Sequence, residues 1–416
     1  MRFGTVKNTI GALGAVALLM PGTLLAQKRM NFDNFTTSDG LSSNLVYSLA
    51  EDSLGHVWVG TDFGLNCFDG TVFKSYPKKQ YPQLYRNDIG HLACLPSGHV
   101  MMGGGNGFLA VYDGKIDRFS DVAPANYDSS YQKTVTSFCL SQTSGRFLAA
   151  TSNGIYEFSH KQYRFLPQGP LYKNTEPFSI DAMSSDTRGR YWILTDGSMV
   201  VYREDGKEVF NQPIGNDEQH AIISSIYPVS PSLMVAYGLA DRLSFYSIAA
   251  NGEVGFSHHV LLPFRNVRNF VRAKNGSFWF ITDGDGLWMS KGVPTQMSDF
   301  QKVLPYGANE EAFSKLYAVM VDRSGDLWVG SQNSGLWRLR LNHNNGIFTA
   351  TELGLANCMA TGFADLKDGR HLVASDGIGI FSYSDHNPTP FLYGPSNGLT
   401  NKNVTSVLND GLDASG

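Results

Sequence analysis

A segment of about 45 residues recurs along this 416-residue chain, and no other feature of the sequence limits the fold as strongly. Each copy centres on a short apolar stretch, such as "GHVWVGT" around Trp58 or "GDLWVGS" around Trp328. The central residues of successive copies lie 42 to 49 residues apart. A period of this length, with several strands in each unit, is typical of the blades of a β-propeller.

Every copy contains the same order of strands and turns. An alternating strand such as "VYSLAED" from Val46 leads through a glycine turn into the apolar strand, and two further strands follow after a turn rich in Asp, Asn and Gly. Such residues permit the backbone angles of tight hairpins. One four-stranded sheet cannot bury both of its faces, so the central residues are predicted to pack between neighbouring sheets. These blade-packing residues are Trp58, Met101, Leu148, Trp192, Met234, Trp279, Trp328 and Leu372.

The number of blades follows from a second pattern, which precedes some copies of the repeat. The segment "FTTSDGLSSNLVYSLAED" from Phe35 introduces the first copy, and similar segments begin at Phe348 and Phe391. We therefore predict an all-β fold in which residues 27–350 form a closed propeller of seven four-stranded blades. Residues 351–416 would form the first blade and a partial second blade of a following propeller, and the chain would be truncated there. A single eight-bladed ring is the alternative.

Closure of the ring is expected to involve the start of the propeller. A strand around residues 32–35 is predicted to pair with the last blade, because that pairing removes an exposed sheet edge.

The first 26 residues have the composition of a secretory signal peptide. Arg2 and Lys7 precede an apolar stretch that is interrupted by Pro21, and cleavage is expected after Ala26. An uncleaved membrane anchor is the alternative. The rest of the chain is therefore predicted to be exported.

The segment "DGLSSNLVYSLAEDSLGHVWVGTDFGLNCFDG", residues 39–70, resembles the two-component regulator propeller repeat. The resemblance implies the periplasmic sensor region of a hybrid two-component system of Bacteroidetes, which detects oligosaccharides and regulates polysaccharide utilisation. It further implies that the remaining sensor polypeptide supplies a second propeller, a β-sandwich, a membrane span and a histidine kinase, and it leaves a homodimer open.

Several other functions find little support in the composition. The formal charge is −4 and no basic run occurs, so contact with nucleic acid is not expected. The 4 cysteines lie far apart, and the 10 histidines are scattered, with His258 and His259 as the only adjacent pair. Adjacent residues of a strand point to opposite faces, so we predict mainly buried thiols, no metal site and no cofactor. Acidic residues occur mainly in turns, whereas glycosidases need two carboxylates at a fixed separation. We therefore predict no catalytic residues; a lyase or glycosidase and a protein-interaction scaffold are the alternatives.

A bound ligand is expected at one end of the propeller axis. The loops from each outer strand to the next inner strand share this face with the turns between the second and third strands. Carboxylates and amides of these turns can bond sugar hydroxyls, and arginine would suit an acidic sugar. The predicted ligand-binding residues are Asp62, Phe63, Asn106, Asn153, Asp196, Asp241, Arg242, Asp283, Asp285, Gln332, Asn333 and Asp376.

Overall fold

The computed structural model of the protein describes twelve stretches of the chain, and the structural statements below concern those residues. The predicted signal peptide lies outside them. No helix in the described stretches is both long enough and apolar enough to span a membrane. The described residues are 28–84, 86–105, 108–124, 134–167, 171, 179–195, 198–213, 223–238, 241–341, 359–366, 370–384 and 387–408.

The described strands form eight sheets, and seven of these sheets, numbered here as blades 1 to 7, surround a central axis. The inner strands of the seven blades are β3 (Val46–Glu51), β7 (His91–Cys94), β11 (Val135–Leu140), β15 (Ile180–Ser185), β19 (Ile223–Ser230), β23 (Val267–Arg272) and β27 (Leu316–Val321). The second strands are β4 (Val57–Thr61), β8 (His99–Gly103), β12 (Phe147–Thr151), β16 (Arg190–Thr195), β20 (Leu233–Gly238), β24 (Phe278–Thr282) and β28 (Leu327–Ser331). The predicted all-β propeller is confirmed.

Two more strands complete each blade on its outer side. The third strands are β5 (Gly64–Phe68), β9 (Leu109–Asp113), β13 (Gly154–Ser159), β17 (Ser198–Arg203), β21 (Arg242–Ile248), β25 (Leu287–Ser290) and β29 (Leu336–Leu339). The outer strands of blades 1 to 6 are β6 (Phe73–Tyr76), β10 (Arg118–Asp121), β14 (Arg164–Leu166), β18 (Glu208–Pro213), β22 (Val254–Leu261) and β26 (Phe300–Pro305). Short 3₁₀ helices span Thr37–Asp39, Met297–Asp299 and Pro395–Asn397.

The start of the propeller closes the ring at blade 7. Strand β2 (Asp33–Phe35) pairs antiparallel with β29 and serves as the fourth strand of that blade, as the sequence predicted. The Asp33 carboxylate accepts a hydrogen bond of 2.6 Å from the Arg338 guanidinium across this pair. A preceding strand, β1 (Lys28–Met30), adds in parallel to the outer edge of blade 6. The N-terminal chain therefore covers the outer edges of two neighbouring blades.

Blade 7 packs directly against blade 1, so the ring contains seven blades and the eight-bladed alternative is wrong. The rings of Tyr47 and Tyr317, from the inner strands of the two blades, are stacked with centroids 6.1 Å apart. The backbone N–H of Arg323 donates to a carboxylate oxygen of Glu51 at 2.8 Å. An eighth blade has no place between these two sheets.

Apolar side chains fill the spaces between the blades. The described residues contain seven clusters of buried hydrophobic side chains, and each lies between two neighbouring blades. Trp58, for example, packs with residues of blade 2, and Trp328 packs with residues of blade 1. The other predicted blade-packing residues of the ring are also buried, whereas Leu372 of the eighth sheet is half-buried.

Met234 packs on the opposite face of its blade from the tryptophans. The strand register places Val235 opposite Tyr227, as Trp58 lies opposite Ala50 in blade 1. Val235 therefore contacts blade 6, whereas Met234 is buried against blade 4. A shift of one residue along a strand moves a side chain to the other face. The sequence repeat was therefore aligned one residue out of register in blade 5, where Val235 and not Met234 corresponds to Trp58.

An aspartate fixes the turn between the first two strands in blades 1, 4 and 7. In blade 7, Asp322 accepts hydrogen bonds from the backbone N–H groups of Gly325 and Asp326 and, at 2.7 Å, from the indole of Trp328. Asp52 and Asp186 bond the tryptophans of their blades in the same way. The aspartate three residues before the turn glycine is therefore a structural group that closes the turn and orients the indole.

The Asp52 carboxyl shows the electrostatic consequence of this arrangement. Burial raises the pKa of Asp52, but the hydrogen bonds from the indole and from the backbone outweigh burial and hold the pKa below its ordinary value. The carboxylate therefore stays charged and continues to accept these bonds at neutral pH.

The eighth sheet consists of β30 (Met359–Asp365), β31 (Arg370–Asp376), β32 (Gly379–Ser384) and β33 (Asn387–Tyr393). The next stretch of chain lies beside its inner strand, because the Val404 N–H donates to the Ser375 carbonyl and the Thr361 hydroxyl donates to the Val404 carbonyl. Inside the ring, Ile89 and Thr61 make the corresponding backbone bond between blades 1 and 2. The eighth sheet thus lies outside the contacts that close the ring of seven blades.

The described cysteines are present as thiols. Cys67 and Cys139 are buried and Cys94 is half-buried, while Cys358 lies outside the described residues. Burial raises the pKa of Cys67 and of Cys139 to about 12, so both thiols are protonated at neutral pH. We read them as packing residues of the strands that carry them.

Candidate functional site

The inner strands surround a central channel that contains a cavity of about 670 Å³. Residues from all seven blades line this cavity, mostly from the first half of each inner strand. Gln332, in the turn after the second strand of blade 7, also lines it. An inner strand begins where its second strand ends, as the pairing of Val46 with Thr61 shows. The cavity therefore opens at the face predicted for ligand binding, which we call the channel mouth.

Most inner strands contain a β-bulge close to the channel mouth. In blade 1, Val46 and Ser48 both have partners on the second strand, whereas Tyr47 between them is skipped in the register. A bulge re-aims the side chain of the extra residue. The bulge residues that line the channel are Tyr47, Thr136, Asp181, Arg268 and Tyr317. One backbone irregularity, repeated around the ring, thus supplies the side chains of the channel mouth.

The bulge residues of blades 6, 7 and 1 form a continuous group. The ring planes of Tyr47 and Tyr317 are inclined by only 10°. The Arg268 guanidinium lies 4.3 Å from the centre of the Tyr317 ring and forms an ion pair of 2.6 Å with Asp283. The Arg268 side chain is 44% exposed, so the pair is open to solvent and to a ligand. We name Tyr47, Tyr317, Arg268 and Asp283 the aromatic patch.

Elsewhere in the channel, hydroxyl groups hold neighbouring blades together. The Ser48 hydroxyl donates to the Ile89 carbonyl at 3.0 Å, and the Thr136 hydroxyl donates to the Ile180 carbonyl at 2.6 Å. These bonds join blade 1 to blade 2 and blade 3 to blade 4. The hydroxyl protons are used in bonds within the fold, so these two side chains have no free hydrogen-bond donor for a ligand.

Asp62 lies next to the aromatic patch and has an unusual environment. It occupies the same turn position in blade 1 as Asp283 in blade 6 and Gln332 in blade 7. Its Oδ1 atom is buried and has no hydrogen-bond partner among the described residues. Burial first, and then the negative charge of Asp62, raise the pKa of Tyr47 above its ordinary value. Asp62 therefore presents an unused acceptor beside a protonated tyrosine.

His91 is the histidine of the channel wall. Burial lowers the pKa of His91 to about 4, because the charged imidazolium loses its hydration there. The imidazole is therefore neutral at pH 7 and adds no positive charge to the channel.

The predicted ligand-binding residues fall into groups in the structure. Gln332 lines the cavity, and Asp62 and Asp283 hold the equivalent turn position in the adjoining blades. Phe63 is 66% exposed at the tip of its turn. Asp376 belongs to the eighth sheet, while Asn106 and Asp196 lie outside the described residues. The remaining five lie in or beside the corresponding turns without lining the cavity: Asn153, Asp241, Arg242, Asp285 and Asn333.

Tyr47, Arg268 and Tyr317 are not among the ligand-binding residues predicted from the sequence, although the repeat contains a signal for them. Each follows an aliphatic residue at the start of an inner strand and precedes a small or polar residue. The flanking positions vary little between blades, whereas the bulge position changes among tyrosine, threonine, aspartate and arginine. A variable residue at a constant place in an internal repeat is a pattern that would have indicated the channel lining.

No cluster of three or more His, Cys, Asp or Glu side chains arranged to hold a metal ion occurs in the described stretches of the chain. The side chains of the channel mouth are suited to hydrogen bonding, stacking and ion pairing. The mouth therefore has the character of a non-covalent binding site for a small polar ligand.

Comparison with known proteins identifies the repeat. The family described as the two component regulator propeller matches residues 40–63, which include Tyr47, Trp58 and Asp62. A 71-residue stretch is 38% identical to "Histidine kinase P4" of Formosa agariphila, and it covers 17% of this chain and 5% of that protein. The resemblance to two-component regulator propeller repeats is thereby confirmed.

Solved structures from B. thetaiotaomicron share the fold. The extracellular domain of a proposed hybrid two component system has a TM-score of 0.57 and 18% identity, over 87% of this chain and 49% of that one. The extracellular domain of a proposed one component system has the same TM-score at 15% identity, over 91% and 49%. At such identities the likeness shows the fold alone. The chain spans about half the length of these solved domains.

Proposed function

We propose that this chain is the ligand-sensing propeller region of a periplasmic hybrid two-component sensor and that it binds an oligosaccharide at the channel mouth. The aromatic patch is the observation that carries this proposal. It places two nearly parallel tyrosine rings and an exposed Arg268–Asp283 ion pair at the wall of a cavity large enough for a few sugar rings. Aromatic faces cover the C–H surface of a sugar, and the charged groups bond its hydroxyls.

Binding is proposed to occur without chemical turnover. Hydrolysis of a glycosidic bond needs a pair of carboxyl groups that flank the bond. Among the described residues that line the cavity, Asp181 is the single carboxylate. The Asp283 carboxylate, which belongs to the aromatic patch, is already held by Arg268. This composition supports a receptor site over a lyase or glycosidase site.

The rest of a longer sensor polypeptide is the proposed partner. The family match and the relation to a histidine kinase support membership in a signalling protein that includes a membrane span and a kinase. The eighth sheet, which lies outside the closed ring, supports a following propeller as the immediate neighbour. A role in regulating polysaccharide utilisation belongs to the same proposal.

Thermal unfolding of the purified chain against a panel of oligosaccharides tests this function. A ligand that binds the native state raises the unfolding temperature by mass action. We expect at least one oligosaccharide to do so, and we expect Tyr317→Ala to remove the shift. Phe256→Ala is the matched control, because Phe256 is an exposed aromatic on the outer strand of blade 5.

Two outcomes would contradict the proposal. Release of sugar products from the panel would indicate an enzyme. Absence of any saccharide-dependent shift, with capture of a protein partner instead, would indicate an interaction scaffold.

A further inference from the structure

The two arginines beside the aromatic patch are held by carboxylates of the protein. The Arg268 guanidinium donates to the Asp283 carboxylate at 2.6 Å, and its face rests against Tyr317. The nearby Arg86 is held by Asp88 in a two-bond pair, with both nitrogen–oxygen distances at 2.7 Å. His91 is neutral at pH 7. An anionic ligand would therefore have to displace an internal carboxylate before it met a cation.

The missing partner at the mouth is a hydrogen-bond donor. Asp62 Oδ1 is removed from water and accepts no hydrogen bond from the described residues. A buried acceptor without a donor carries a free-energy cost, and a charged acceptor carries a larger one. A ligand hydroxyl that reached this oxygen would remove that cost, whereas a ligand carboxylate would add a second negative charge. Asp62 thus favours a hydrogen-bond donor at the channel mouth and disfavours an anion.

We propose, as an extension of the proposed function, that the ligand is an uncharged, hydroxyl-rich sugar that donates a hydrogen bond to Asp62 while it stacks on the aromatic patch. The Arg268–Asp283 pair then serves as a pair of bonding groups for neutral hydroxyls, and the Arg268 guanidinium is already occupied when a uronate arrives. This assignment differs from the expectation from sequence that an arginine at this face, Arg242, would suit an acidic sugar.

Matched pairs of tetrasaccharides that differ only at the C6 position test the ligand class on the full 416-residue chain. Suitable pairs are α-1,4-linked galactose and galacturonate, β-1,4-linked glucose and glucuronate, and β-1,4-linked mannose and mannuronate. Calorimetric titration should show that, in any pair with binding, the neutral member binds at least tenfold more tightly. Tighter binding of a uronate would overturn this inference and leave the proposed function standing. Absence of binding by every saccharide would overturn both.

Asp62→Ala tests the residue assignment. The variant should bind the neutral sugar at least tenfold more weakly, and its unfolding temperature without ligand should not fall, because an unsatisfied buried carboxylate has been removed. Asp205→Ala is the control for binding, since Asp205 lies in an outer turn of blade 4 and accepts an exposed bond from the Lys207 N–H. This variant should leave sugar binding unchanged. Undiminished binding by Asp62→Ala would overturn the assignment. A lowered unfolding temperature would likewise contradict it, because Asp62 would then be a structural group.

Discussion

Individual residues in this propeller divide between stabilising the turns and lining the channel. Asp52, Asp186 and Asp322 are turn residues, and each accepts several hydrogen bonds from one turn and one indole. Blade 6 lacks the aspartate, and there the Ser277 hydroxyl accepts the single bond from Trp279 at 2.9 Å. The two arrangements allow the contribution of the aspartate to the free energy of unfolding to be compared with that of a serine within one molecule.

Asp322→Ala should lower the free energy of unfolding by about 3 kcal/mol, because the buried N–H groups of Gly325, Asp326 and Trp328 lose their acceptor together. Ser277→Ala removes one bond of the same kind and should cost about 1 kcal/mol. Urea denaturation of the two variants checks both values. Equal losses would show that the aspartate contributes no more than a simple hydroxyl.

At the scale of the strands, a glycine near the end of the second strand lets the neighbouring blade approach. A Cβ atom on Gly60 would lie 2.5 Å from the Ile89 carbonyl oxygen and 2.3 Å from the Ser48 hydroxyl. A Cβ atom on Gly330 would lie 2.5 Å from a methyl group of Val46. The "WVG" sequence of the repeat is therefore a requirement of blade-to-blade contact as well as of the strand itself.

Gly60→Ala should destabilise the protein by about 3 kcal/mol, since the added methyl group meets backbone that cannot move without separating blades 1 and 2. Gly255→Ala is the matched control, because nothing lies within 4 Å of the position of its Cβ on the outer strand of blade 5. The control should change stability by less than about 0.5 kcal/mol. Denaturant unfolding of both variants measures the two changes in stability. A similar loss of stability in each variant would rule out the contact between blades as the reason for Gly60.

At the scale of the whole molecule, closure depends on a short N-terminal strand. Phe32 is buried between blades 6 and 7, and Phe35 packs against Phe68, Phe73 and Trp328 at the junction of blades 7 and 1. Residues 32–35 thus contribute a phenylalanine to the packing on each face of blade 7.

A chain that begins at residue 36 should be less stable than one that begins at residue 28 by about 4 kcal/mol or more. The shorter chain lacks two core phenylalanines, and the loss of one such side chain costs roughly 3–5 kcal/mol. Denaturant unfolding and limited proteolysis of the two chains provide the measurement. Identical midpoints would show that the ring closes without β2.

The period of the repeat was sufficient to predict the propeller, and the segments that precede some copies predicted the number of blades in the ring. The pairing of residues 32–35 with the last blade was predicted because it removes an exposed sheet edge. The period could not predict the side chains at the channel mouth, because Tyr47, Arg268 and Tyr317 reach it through bulges that break the alternation of the strand. The position of Met234 was misread for a related reason, since one residue of register decides which blade a side chain contacts. Turn residues such as Asp62 were found because hairpin position depends on the period alone.

The pairing of Asp33 with Arg338 joins residues that are 305 positions apart, and this separation has a consequence for biosynthesis. At about 5–20 residues per second, the ribosome needs roughly 15–60 s to deliver the second residue after the first. During that interval β2 has no partner strand, because the strands of blades 1 to 6 are synthesised before those of blade 7. Two newly made chains that meet in this state can exchange their β2 segments, since the site on blade 7 is the same in both. Closure of the ring within a single chain thus requires that nascent chains stay separate until blade 7 has left the ribosome.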